Sequence, residues 1–240
     1  MLFRSTSQSK LAIENSGLSD ATVELTTFSE NGPSAATSVT ISAASEKTIR
    51  LDALNPGANK IVTRLRVLSG RVTAFMLDER VKGLKNLGAD FVPASPHPST
   101  SVIIGGIPSS IGKDSKVQTI LRILAPGAID GTASVEVLSS NGVFVPIGLG
   151  EIALNSQDVT EISLPNLQVG TENFALRIDA SIPIVASVYV EGKRGSLSDF
   201  SWHGALTPFK KSTFNIYGLD RKSTRLNSSH EWISRMPSSA

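Results

Sequence analysis

Cysteine is absent from all 240 residues, which excludes a disulfide framework and any cysteine-based metal site. This leaves the compartment open, because a chain long enough to bury a core can be exported without disulfides. Aromatic residues make up only 5% and histidine occurs three times, so few side chains are available for stacking or acid–base work. No apolar run approaches the ~18 residues of a membrane span. The opening stretch MLFRSTSQSK has no apolar centre of the kind a secretory signal carries. No stretch combines a 3.6-residue apolar period with caps, so helix should be scarce.

An excess of one charge is missing too, once the C-terminus is set apart. Asp220 to Ala240, DRKSTRLNSSHEWISRMPSSA, resembles the translation of an adapter ligated to short-read DNA sequencing libraries. It is expected to be a non-native, disordered tail and is left out of fold reasoning. It carries Arg221, Lys222, Arg225 and Arg235 against Asp220 and Glu231. Without it, 19 basic residues (23 less 4) face 19 acidic ones (21 less 2), and the formal charge falls from +2 to zero. A neutral chain with scattered charges has no footprint for nucleic acid or an anionic membrane surface, so neither is expected as a partner.

What the chain has in abundance is itself. LAIENSGLSDATVELTTFSENG, Leu11 to Gly32, returns as RILAPGAIDGTASVEVLSSNG from Arg122. Gly17 is answered by Gly127, Leu25 by Val135, Phe28 by Leu138 and Asn31-Gly32 by Asn141-Gly142, at a constant offset of 110 (127 less 17). Self-similarity at a long fixed period decides the architecture before any local reading. The match continues with offsets between 109 and 113, the drift of small loop insertions. EISLPNLQVG follows TIRLDALNPG, IVASVYVEGKRG follows VTAFMLDERVKG, Asp199-Phe200 follows Asp90-Phe91, and TFNIYGL (213–219) follows SVIIGGI (101–107).

Within each copy the pattern is that of strands. ATVELTTF alternates Ala21, Val23, Leu25 and Thr27 with Thr22, Glu24 and Thr26, the period of a strand with one buried face. Glu30-Asn31-Gly32 reads as a hairpin turn, because both residues of Asn-Gly tolerate positive φ. SVTIS and KTIRLDAL read as further strands, and KIVTRLRVLSG sets Ile61, Thr63, Leu65 and Val67 against Arg64 and Arg66. RVTAFMLDE is apolar on both faces, as a strand in the middle of a sheet would be.

About seven such runs over ~100 residues, with turn signals every 8–12, are the mark of a β-sandwich, whereas propeller blades repeat at half this period. The fold expected is all-β: two tandem antiparallel β-sandwiches of immunoglobulin-like type. Residues 1–91 form the first repeat. Residues 92–118, rich in Pro, Ser and Gly, form a linker and the first strand of the next unit. Residues 119–219 form the second repeat and 220–240 the tail.

The order L-x-I-x-N, V-x-L and G, then a strand ending in P-G, then GRV-x-A and R-x-x-G, then D-F-x-P-A and VIIGGIP has a counterpart elsewhere. Here it is carried by Asn15, Gly32, Gly57, Gly70-Arg71-Val72, Arg80, Gly83, Asp90-Phe91, Pro93-Ala94 and Gly105-Gly106-Ile107-Pro108. Over residues 11–219 the chain resembles an actinobacterial family of large exported proteins known only as a domain of unknown function. The resemblance implies a secreted or cell-surface location, usually behind an N-terminal membrane anchor that is missing here. It carries over no catalytic residue.

No constellation in the sequence names a reaction. His97 in Pro-His-Pro and His203 in Ser-Trp-His-Gly have no second ligand at metal spacing. There is no G-x-S-x-G elbow, and Gly105-Gly106 lacks the Lys-Ser/Thr that ends a phosphate loop. Asp78-Glu79 and Glu191 close equivalent strands beside Arg80, Lys82, Lys193 and Arg194, where solvated charge pairs are the ordinary outcome. Glycoside hydrolysis needs two carboxylates about 5–10 Å apart, which this pattern does not provide. Phe91, Phe200 and Trp202 fall in equivalent segments after the last strong strand. They either plug a sandwich end or junction, or offer a flat face to a sugar or peptide.

No catalytic, cofactor or metal residue is expected, and no cofactor. The ligand-facing candidates are Phe91, Phe200, Trp202, Arg80 and Arg194. The function expected is a non-catalytic extracellular or cell-surface structural or interaction module, with a protein or a cell-wall glycan as partner. A carbohydrate-binding module of the cell envelope is the alternative and a hydrolase the third. Burial of Phe91, Phe200 and Trp202 separates the first two, because a buried ring offers no platform.

Overall fold

The computed structural model describes residues 9–208 except 59, 83–84, 96, 110–115, 165–166, 168–172 and 195–196. The tail, and the stretch 213–219 matched to 101–107, lie outside the described residues. The chain is all-β with antiparallel sheets. The first repeat contains β1 (Lys10–Asn15), β2 (Ala21–Ser29), β3 (Gly32–Pro33), β4 (Thr37–Ile41), β5 (Ser45–Arg50), a single helical turn α1 (Leu51–Leu54), β6 (Val62–Ser69), β7 (Thr73–Lys82) and β8 (Lys85–Pro93). One sheet runs β5-β1-β7-β8, and in the other β2 is flanked by β6 on one edge and by β3 and β4 on the opposite edge.

The second repeat contains β9 (Ser99–Pro108), β10 (Lys116–Leu124), β11 (Gly131–Ser139), β12 (Gly142–Phe144), β13 (Ile152–Leu154), β14 (Val159–Leu164), β15 (Asn173–Arg194) and β16 (Leu197–Gly204). Its pairings copy those of the first. β10 lies between β14 and β15 as β1 lies between β5 and β7, and β11 pairs β12, β13 and β15 as β2 pairs β3, β4 and β6. β15 does the work of two strands. Its first half pairs β11, its second half pairs β10 and β16, and its register with β9 shifts between Asp179 and Ile184 where it passes from one layer to the other.

Apolar side chains from both layers meet between them, the arrangement that the period-2 pattern requires. In the first repeat Leu11 and Ile13 face Val23, Leu25 and Ile41. In the second, Leu121, Ile123, Val188 and Val190 face Val135, Val137, Leu176 and Ile178, and β9 adds Val102, Ile104 and Ile107. β7, apolar on both faces, is interior to its sheet between β1 and β8.

One local reading needs correction and another gains detail. KTIRLDAL is not strand throughout: it leaves β5 at Arg50 and closes one helical turn, with the Asn55 N–H donating to the Leu51 carbonyl. In the β2–β3 hairpin the turn residues are Glu30 and Asn31, and only Gly32 is left-handed (φ +87°). Two ordinary turn residues followed by a left-handed glycine make the glycine-bulge form of hairpin. The Ser29 hydroxyl holds it, accepting from Asn31 N and donating to the Gly32 carbonyl. Ser139, Asn141 and Gly142 (φ +111°) repeat the device with the same bonds.

Candidate functional site

The residues singled out from the sequence converge where the two repeats meet. Alternation along β7 puts Ala74 and Met76 against the first core and, further along the same face, Asp78 and Arg80 beyond it. Beyond that core the face reaches the outer face of the second repeat. There Ile120, Tyr189 and Phe200 form a small buried cluster with Trp202 packed against it. Core-facing residues of the same strands, Leu121, Val188 and Val190, point the other way.

Trp202 is the fastener. Its indole Nε1–H donates to Asp78 Oδ2 at 2.9 Å and its backbone N–H donates to Asp90 Oδ2. Asp78 and Asp90 are directly opposed on β7 and β8, an arrangement in which like charges repel. Supplying donors to both carboxylates from one residue offsets that repulsion, and the Ser9 hydroxyl adds a bond to Asp78 Oδ1 at 2.8 Å. Trp202 also lies 4.9 Å from Tyr189, centroid to centroid, with the Arg122 guanidinium over its ring.

Arg80 is the second fastener. Its guanidinium lies 4.1 Å from the Phe200 centroid and 5.1 Å from Tyr189, and Nη1 meets Glu191 Oε1 at 3.2 Å. Removal of either charge from so enclosed a pair leaves the other desolvated without its partner. Arg122 and Lys60 converge on Glu161 at 3.0 and 3.9 Å, which ties β10, β14 and the loop before β6 together. Phe28 of β2 packs against Leu124 and Val159 of the second repeat and completes the contact.

The five ligand-facing candidates separate. Phe200 is 8% exposed and Trp202 is half-buried, so neither offers an open platform. Arg80 is engaged with both the rings and Glu191. Phe91 is 60% exposed and stacks on Phe75 at 5.6 Å and 58°, on the outer face of the β7–β8 ribbon. Arg194 ends β15, and its side chain lies outside the described residues. Asp90, Tyr189, Arg122 and Glu161 were not singled out beforehand. Of these only Asp90 had a local signal, because each Asp-Phe pair closes on itself, with the aspartate accepting from the next backbone N–H (Asp90–Phe91 2.8 Å, Asp199–Phe200 2.9 Å).

Asp78 and Glu191, the carboxylates considered for hydrolysis, both lie at this junction and both are held: Asp78 by Trp202 and Ser9, Glu191 by Arg80. His203 on β16 is half-buried, with Ser201 Oγ 3.0 Å from Nε2. Burial pushes its pKa below the usual histidine value, against the opposing pull of Asp90 and a backbone hydrogen bond at Gly105. His97 is on an exposed loop. A shallow depression of about 400 Å³ lies elsewhere, lined by Gly106, Leu138, Ser139, Ser140, Asn173, Phe174 and Ala175, without a titratable side chain. Among the described residues no three His, Asp or Glu side chains are grouped to hold a metal ion, and no helix is long and apolar enough to cross a membrane.

No curated protein and no solved structure matches the chain. The sequence profile of a family of unknown function, DUF5719, matches residues 4–229, a span that takes in both repeats and the first part of the tail, and the chain belongs to that family.

Proposed function

We propose that the protein is a non-catalytic module that works outside the cell or at its surface, where two docked sandwiches act as a stiff spacer and interaction surface. The observation that carries this reading is the junction itself. The rings and carboxylates most suited to chemistry or sugar stacking, Trp202, Phe200, Asp78 and Glu191, are committed to holding one sandwich on the other. The resemblance to large exported proteins of actinobacteria supports the location. Calorimetry tests the stiffness: a single cooperative unfolding transition is expected, splitting into two in Trp202→Ala. Two separate transitions in the unaltered chain would contradict it.

A carbohydrate-binding reading retains one observation in its favour, the exposed ring of Phe91, packed at a tilt against the half-buried Phe75, since an exposed aromatic face can stack on a sugar ring. Binding to cell-envelope polysaccharides that is abolished by Phe91→Ala would establish this alternative. Absence of binding by the unaltered chain across such a panel leaves the spacer reading in place.

A further inference from the structure

Strand alternation gives β16 two faces with different company. Phe200 and Trp202 take the junction, so Ser201 and His203 lie on the opposite face, followed by Ala205, which enters the second core. Val190 and Val188 of β15 stand opposite Ser201 and His203. Both polar residues are half-buried, at the rim of the sandwich and not sealed within it. In the first repeat the same places belong to Val92 and Ala94, at the offset of 109 set by the Asp-Phe motifs (199 less 90). The polar pair therefore belongs to the second repeat, and neither member takes part in the junction.

The pair has the geometry of a hydroxyl beside its base. Ser201 Oγ lies 3.0 Å from His203 Nε2. The ring's other hydrogen bond, to the backbone at Gly105 of β9, favours the protonated ring, as acceptance by a carbonyl does. With Nδ1–H donated to that carbonyl, the lone pair of the neutral ring is on Nε2 and faces the hydroxyl. Burial keeps the ring neutral near neutral pH, hence able to take a proton. Asp90 of β8 attracts positive charge on the ring and so stabilises the imidazolium once it forms. Asp90 is itself held in place by the N–H groups of Phe91 and Trp202. A hydroxyl, a base within hydrogen-bond reach and a third group that orients the base are the elements that activate a serine. There is room for a reactant too. Gly105 and Gly106 are exposed, and a Cβ at either would meet nothing within 4 Å among the described residues.

We propose that Ser201 is a nucleophile activated by His203, and that it accepts an acyl group from an activated ester or thioester. Oγ bonds to the acyl carbon as its proton passes to Nε2. The bond from that carbon to the leaving oxygen or sulfur then breaks, and the departing group carries the proton away. An O-acyl serine and a neutral ring remain. This goes beyond the spacer reading and does not rest on it, because the groups of the junction keep their structural roles.

The test is acetylation of the full-length chain by p-nitrophenyl acetate, with the modified residues located by peptide mass mapping. Ser201 should be acetylated about 10²-fold faster than the other serines, the scale of one positioned base. His203→Gln should slow the reaction at Ser201 by a similar factor while lysine acetylation, which needs no such base, stays as it was. In the unaltered chain the rate at Ser201 should rise with pH and level off, with its midpoint below 6.5, where the buried ring loses its proton. That profile needs no variant to fold. Acetylation of Ser201 no faster than of the other serines would overturn the proposal. So would an unchanged rate in His203→Gln, or a rate that climbs with hydroxide and never levels off.

Discussion

The two repeats share one plan and differ in how each is finished, and the differences show what sequence similarity leaves open. Asp90-Phe91 and Asp199-Phe200 are the same motif with the same aspartate-to-backbone bond, yet Phe91 is in solvent and Phe200 lies beneath the Arg80 guanidinium. The motif fixes a local shape. The fate of its ring is decided by what the neighbouring repeat lays on top. At the corner between the layers the repeats solve one steric problem from opposite sides. In the first, Gly70 is left-handed (φ +81°), and a Cβ there would lie 2.6 Å from that of Ala21. In the second, the counterpart of Gly70 is Ile182 and the counterpart of Ala21 is Gly131, where a Cβ would lie 2.7 Å from Ile182 Cγ1. Only one of the two facing positions has room for a side chain.

The largest expected effect comes from exchanging the fates of the paired phenylalanines. Phe200→Ala removes a buried ring from under Arg80 and should cost about 3–5 kcal/mol in denaturant unfolding. Phe91→Ala should stay within about 0.5 kcal/mol, as surface changes do. Equal losses from the two would mean that the junction does not distinguish them.

Next comes the corner. Gly131→Ala should destabilise by about 1–3 kcal/mol through overpacking. Adding Ile182→Gly, which restores the glycine-opposite-alanine pairing of the first repeat, should recover part of the loss in a double-mutant cycle. Strict additivity would deny that the two positions compensate.

The smallest effect concerns pH and is peculiar to the second repeat, whose His203 has no counterpart at that place in the first. The folded protein holds this ring below its ordinary value of 6.5, chiefly by burial. As pH falls through about 6.5 the unfolded chain binds the proton first, so stability present above that pH declines below it. In melts between pH 7.5 and 5, His203→Gln should remove this part of the decline. An unchanged pH dependence would assign the decline to other groups.

Much of the architecture was legible because a duplicated pattern is visible without any structural knowledge. The 110-residue offset maps β1 onto β10 and β2 onto β11, and the pairings follow. Register was not legible. The Asp-Phe motifs align at an offset of 109, yet in the sheets Phe91 is opposite Leu77 while Tyr189, the counterpart of Leu77, is opposite Trp202. The ladder of β7 and β8 also slips by one residue at Arg80–Val81, a slip that β15 and β16 do not share. At the junction, Arg80, Phe200 and Trp202 were visible as rare residue types after strong strands. Their partners were not, because Trp202 meets Asp78 across 124 residues of chain and Arg80 meets Glu191 across 111. Nothing local encodes such contacts.

Amide hydrogen exchange goes straight to the contrast between β15, paired on both edges, and β6, which among the described residues pairs β2 alone. The amides of 174–179, enclosed by β11 and β9, should be protected without interruption, whereas alternate amides of 63–67 should exchange as fast as those of loops. Uninterrupted protection along β6 would mean that its outer edge is covered as that of β15 is, and the contrast would be lost.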